Sequence, residues 1–155
     1  MFNLLSCWGT INSEHSFYEP VQVMAPNIYL YPEITTDVQV SISFPDVGKI
    51  ILSEPEYNNG WDVSVTPDGI IDDQYNYLFY EAMLPEPNNK KTGWLIAQAD
   101  LETELRKILT DYGCIGREID DFIEFWVPRL DYAPWFVVYP QEIESMVNLK
   151  VTPSP

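Results

Sequence analysis

The stretch YNNGWDVSVTPDGIIDDQYNYLFYE, residues 57–81, decides the fold. Trp61, Val63 and Val65 alternate with Asp62, Ser64 and Thr66, the period of two that a strand with one buried face imposes. Thr66-Pro67-Asp68-Gly69 then supplies a β-turn, with the fixed φ of proline at the second position and glycine at the fourth. After Ile70, Ile71 and the polar loop Asp72-Asp73-Gln74, residues 75–81 return as a second, aromatic strand. Upstream, Asn58-Asn59-Gly60 tolerates the positive φ of a tight reversal. Strand, turn and strand in this order imply antiparallel pairing.

The same signals continue outward. Residues 27–31 form a short strand stopped by Pro32, which cannot donate to a central ladder. Val38, Val40, Ile42 and Phe44 share one face of a strand over 36–44, and Pro45 to Gly48 turns the chain into another strand over 49–53. The first half is therefore expected to be a meander of short antiparallel strands. Residues 84–92 read as a surface loop, followed by a short apolar segment over 94–97.

Helical spacing first appears after Asp100, an expected N-cap, where Leu101, Leu105, Ile108, Leu109 and Tyr112 fall on one stripe. A second helix starts near Gly116, carries Ile119, Phe122, Ile123 and Trp126, and ends at Val127-Pro128. The short link between them implies a helical hairpin. Residues 135–139 read as an edge strand, and 146–151 as a last alternating strand. The chain is accordingly expected to be α+β: an antiparallel β-sheet meander covered on one face by a C-terminal helical hairpin. Residues 1–26 are read as an extended leader and residues 27–155 as a single domain.

Composition bounds the function. Of 155 residues, 24 are Asp or Glu and 8 are Lys or Arg, a net charge of −16. Such a field repels nucleic-acid phosphates and attracts cations or basic proteins, so no direct nucleic-acid partner is expected. No apolar run is long enough for a transmembrane segment. Leu4-Leu5-Ser6-Cys7 resembles the lipobox of bacterial lipoproteins, but lacks a basic region and a long apolar segment before it. The match is either chance or the remnant of a truncated signal. Cys7 and Cys114 leave a bridge or two free thiols equally open.

Five motifs occur here in a characteristic order: Asn27-Ile28-Tyr29-Leu30-Tyr31-Pro32, then 55–61 with its Tyr-Asn-Asn-Gly-Trp, then Pro67-Asp68-Gly69, then 75–81, then 122–128. In this the chain resembles a family of uncharacterised, mostly bacterial and often exported proteins with motifs of the IYLYP, YNNGW and YLFWE type. Tyr80 stands where the family has tryptophan. The resemblance implies a shared fold and an extracytoplasmic setting or the cell envelope, and it transfers no catalytic residue.

Candidate chemistry is sparse. Asp68, Asp72 and Asp73 could offer oxygen ligands to calcium, but their spacing is not an EF-hand loop and ordinary turn chemistry accounts for them. One histidine, His15, and two distant cysteines make no zinc or nucleophile constellation, and no phosphate loop or dinucleotide fingerprint occurs. No metal and no cofactor are expected. Asp62 and Glu81 are the candidate catalytic acids of a carboxylate-dependent hydrolase, should a meander bring them to one sheet edge. Tyr57, Trp61, Tyr75, Tyr77 and Tyr80 are candidates for an aromatic binding platform, although Trp61 and Phe79 read more simply as core. Tyr75 and Tyr80 cannot share a face of one unbroken strand. The favoured function is non-enzymatic binding of a carbohydrate or a basic protein partner, with the hydrolase and an acidic, nucleic-acid-mimicking inhibitor as the alternatives.

Overall fold

The computed structural model describes residues 21–23, 27–45, 47–84, 91–141 and 146–153. They form β1 (Val21–Val23), β2 (Asn27–Ile28), β3 (Thr36–Ser43), β4 (Lys49–Glu54), β5 (Trp61–Val65), β6 (Leu78–Leu84) and β7 (Trp94–Ala97). Then follow α1 (Leu101–Asp111), α2 (Gly116–Trp126), β8 (Trp135–Val138) and β9 (Asn148–Thr152). The α+β class and the antiparallel pairing expected from the sequence are both present. The sequence 4–7, with its lipobox likeness, and the loop over 85–90 lie outside the described residues, while Val21–Val23, expected in the leader, is a strand paired with residues 82–84 of β6.

Two compact units divide the chain. The first comprises the described residues up to Leu84 and those from Met146 onward. Its central strands are β6 and β3. β6 pairs with β1 and then β2 along one edge and with β4 along the other, whereas β3 lies between β5 and β9. The strands from β3 to β6 therefore alternate between two sheets in place of the simple meander. The reason is burial. Leu78, Tyr80, Ala82 and Leu84 of β6 join Val38, Val40 and Ile42 of β3 and Trp61, Val63 and Val65 of β5 in one apolar cluster. A strand period of two announces one buried face but not what covers it, and here each sheet covers the other.

The turn after β5 forms as its residues dictate. The Gly69 N–H donates to the Thr66 carbonyl at 2.9 Å, the Thr66 N–H donates to the Ile70 carbonyl at 2.9 Å, and the Thr66 hydroxyl donates to Asp68 Oδ1 at 2.6 Å. Ile71, fully buried, then bridges to both Val65 and Tyr75, which delivers the chain to β6.

The second unit contains the described residues from 91 to 141. β7 and β8 pair as an antiparallel ribbon. Leu101, Leu105 and Ile108 of α1 and Ile123 of α2 pack with Ile96, Trp94, Phe136 and Val138 of that ribbon. The helical hairpin thus covers one face of a sheet, that of β7 and β8. The opposite face leaves Leu95, Trp135 and Val137 exposed. Asp100 occupies the N-cap of α1, without a side-chain cap bond, and Glu118 secures the start of α2 by accepting the Ile115 N–H at 2.9 Å. Arg106 links the helices by pairing with Glu102 at 2.9 Å and Asp120 at 2.8 Å, an exposed arrangement of small energetic weight. Among the described residues, no helix is long and apolar enough to cross a membrane.

Two tests follow. Gly60, at φ +148°, stands in the link from β4 to β5, where an added Cβ would meet the Val40 carbonyl oxygen at 3.3 Å. Gly60→Ala is expected to cost more than about 1 kcal/mol in urea unfolding, whereas Asn58→Ala, at an exposed site, stays within about 0.5 kcal/mol. Cys114 is a free, buried thiol, and burial, reinforced by the nearby Glu118 charge, pushes its pKa from 9.0 up to about 11. Alkylation at neutral pH should be slow in the folded protein and rapid in denaturant. Because the folded pKa is the higher one, the associated stability is complete below the unfolded value and is lost as pH rises through about 11.

Candidate functional site

The sequence-derived candidates separate into three groups once placed. Tyr57 and Trp61 hold the link between β4 and β5. Their rings meet edge to face at 4.6 Å. The Tyr57 hydroxyl accepts the Ile42 N–H at 2.9 Å and donates to the Ile42 carbonyl at 3.1 Å, and the Trp61 indole N–H donates to the Pro55 carbonyl at 2.8 Å. Both polar handles are committed to backbone, so these rings are structural. Tyr80 points into the core, where burial pushes its phenol well above the ordinary tyrosine range.

Asp62 and Glu81 form the second group. Asp62 is exposed between buried Trp61 and Val63, so it lies on the outer face of the β5–β3–β9 sheet. Glu81 stands between buried Tyr80 and Ala82, on the outer face of the other sheet. Packed sheets lie about 10 Å apart, and these side chains point away from each other, beyond the roughly 5–9.5 Å that paired glycosidase carboxyls span. The structure does not bring them together. Asp62 instead borders a depression of about 520 Å³ lined also by Asp37, Val38, Gln39, Val63, Ser64, Thr152 and Pro153.

Tyr75 and Tyr77 form the third group, and they do converge. With Phe79, Glu54, Gln74 and Asn76 they line a concavity of about 330 Å³ on the first unit. Its construction follows from pairing. Glu54 and Phe79 are cross-strand partners, which sets both side chains on the outer face of the sheet. Tyr75 is fixed by reciprocal backbone bonds with Ile71 at 2.9 and 2.8 Å. The reversal before it is held by Asp72, at φ +49°, whose carboxylate accepts the Ser64 N–H at 2.8 Å. That bond is turn chemistry. Among the described residues, no cluster of three or more His, Cys, Asp or Glu is placed to hold a metal ion. The Tyr77 ring rests edge-on against buried Tyr29 at 5.5 Å, and Tyr29 stacks on Tyr31 at 6.5 Å.

Phe79 is a correction to the sequence reading. It is half-buried on the outer face and is not a core ring. The signal for this was the polar Glu81, which sets the phase of β6 and, counted back by twos, turns Phe79 outward. Gln74 and Asn76 carried no such signal, since they precede the strand proper.

No family model matches this chain, and neither the curated proteins nor the solved structures contain a match to it.

The placement of Tyr57 yields a direct test. Tyr57→Phe removes both bonds to Ile42 and is expected to cost about 1–3 kcal/mol of unfolding free energy while leaving any ligand affinity of the folded protein unchanged.

Proposed function

We propose that the protein is a non-enzymatic binding module that takes carbohydrate in the aromatic concavity, in an extracytoplasmic setting of the kind its motif order suggests. The observation that carries this reading is the convergence of Tyr75, Tyr77 and Phe79 with Glu54, Gln74 and Asn76. Pyranose rings have an apolar C–H face and a rim of hydroxyls. The first matches aromatic rings, and the second matches amide groups, which both donate and accept, and a carboxylate, which accepts. A volume of about 330 Å³ lies at the small end of ligand sites, which suits one or two sugar units better than a folded protein surface.

Nothing in this reading requires a reaction. Among the described residues the lining contains no histidine, cysteine or serine, and one carboxylate, where glycoside hydrolysis uses a pair.

Glycan-array screening followed by titration calorimetry tests the proposal. Tyr75→Ala and Tyr77→Ala are each expected to weaken saccharide binding at least fivefold, on the order of 1 kcal/mol, as centrally placed aromatic anchors do. Tyr112→Ala, which alters an exposed ring in the other unit, should leave it unchanged. Absence of saccharide binding, or binding indifferent to Tyr75 and Tyr77, would sink the reading.

A further inference from the structure

Among the described residues the concavity holds one charged side chain, Glu54, with three rings and two amides. No lysine or arginine among the described residues lines it. Along β4 the next cation is Lys49, five residues away over the span Lys49–Glu54, about 16 Å in an extended strand. Glu81 adds a second carboxylate to the same face, two residues beyond Phe79 on β6. The surrounding field is that of a chain carrying a net charge of −16.

This charge pattern discriminates among saccharides. An acidic sugar would bring its carboxylate against Glu54 within an already negative field, and like charges at close range are costly. A neutral sugar could stack on the rings, but it would take water from Glu54 without supplying a counter-charge. A protonated amino sugar does both. Its ammonium can donate a charge-assisted hydrogen bond to Glu54 and lie against the negative faces of the tyrosine rings, while its hydroxyls reach Gln74 and Asn76. A quaternary ammonium such as choline shares the attraction to the rings, yet it has no N–H to donate and no hydroxyl rim.

We propose that this concavity selects saccharides bearing a free, protonated amino group over their N-acetylated and acidic counterparts, with Glu54 as the selecting residue. The inference rests on the carbohydrate reading of the same site and adds the ligand's charge to it.

The test uses the full chain at about pH 6 and about 0.15 M salt, where long-range attraction between exposed charges is screened. Calorimetric titrations compare a glucosamine oligomer with its N-acetylated form, a uronic acid oligomer and choline. The amino oligomer is expected to bind about tenfold more tightly than the N-acetylated one, about 1.4 kcal/mol, and more tightly than choline, with no measurable binding of the uronic acid. Glu54→Gln should abolish the tenfold preference, with the N-acetylated oligomer still binding and no longer desolvating a charge. Glu124→Gln, at an exposed acid of the other unit, should preserve the preference.

The failures are distinguishable. If neither the amino nor the N-acetylated oligomer binds, the carbohydrate reading falls and this inference with it. If the N-acetylated oligomer binds as tightly as the amine, only the charge selection is overturned. A preference that survives Glu54→Gln, or falls equally in Glu124→Gln, would assign it to diffuse attraction by net charge and overturn the role of Glu54. Choline binding above the amino oligomer would replace an amino sugar with a bare ammonium as the ligand.

Discussion

The apolar face of β6 and the apolar face of β3 are buried in one cluster, and each supplies the cover that the other lacks. An open sheet with one such face in water would forfeit roughly 1.5–3 kcal/mol for every large aliphatic side chain left uncovered. Mutual burial therefore fixes the phase of each strand. Leu78, Tyr80, Ala82 and Leu84 must point inward, which turns Phe79, Glu81 and Met83 outward on one side of the unit. On the other sheet, buried Trp61, Val63 and Val65 force Asp62 outward. The separation of the two candidate acids is thus a consequence of the core, as is the exposure of the ring that completes the concavity.

Passing the chain from one sheet to the other creates a second demand. The link from β4 to β5 must reverse direction while keeping its polar groups satisfied, and Tyr57 and Trp61 meet that demand with phenol and indole bonds to backbone. Polar handles identify the rings that are committed to the fold. Those of Tyr57 and Trp61 go to main chain, and these rings are fixtures of the fold. Tyr75 and Tyr77 lie just before the start of β6, and their rings line a surface depression.

Much of this was legible in the sequence, element by element. Alternation in 36–44 and 61–65, the Thr66 to Gly69 turn, and both helical stripes each reflect a local rule that tertiary context did not override, whereas the strand read over 75–81 runs from Leu78 to Leu84. What the sequence could not show was which strand lies beside which. The turn over 45–48 reads as the bend of a hairpin, yet β3 and β4 enter different sheets, because pairing is decided by burial of whole faces and not by the nearest turn. The aromatic run 75–80 posed a different difficulty. Apolar side chains occupy both phases there, so local alternation is silent about Phe79, and only Glu81 downstream breaks the tie. The hairpin stripe was recognisable, but its cover, the ribbon of β7 and β8, joins segments some forty residues apart, beyond the reach of a local pattern.

Two surface depressions of the first unit show why volume alone is a poor guide to ligand binding. The one beside Asp62 is larger, about 520 Å³ against about 330 Å³, but it contains no aromatic ring. Its described lining, Asp37, Val38, Gln39, Asp62, Val63, Ser64, Thr152 and Pro153, offers no ring face on which a pyranose could stack. Tyr75, Tyr77 and Phe79 supply such faces. Ring surface taken from water contributes about 25 cal/mol per Å², and the polar groups around it need only be re-paired to retain that gain. Affinity should accordingly come from the rings and selectivity from Glu54, whose charge is the one feature of the concavity that a ligand must answer in kind.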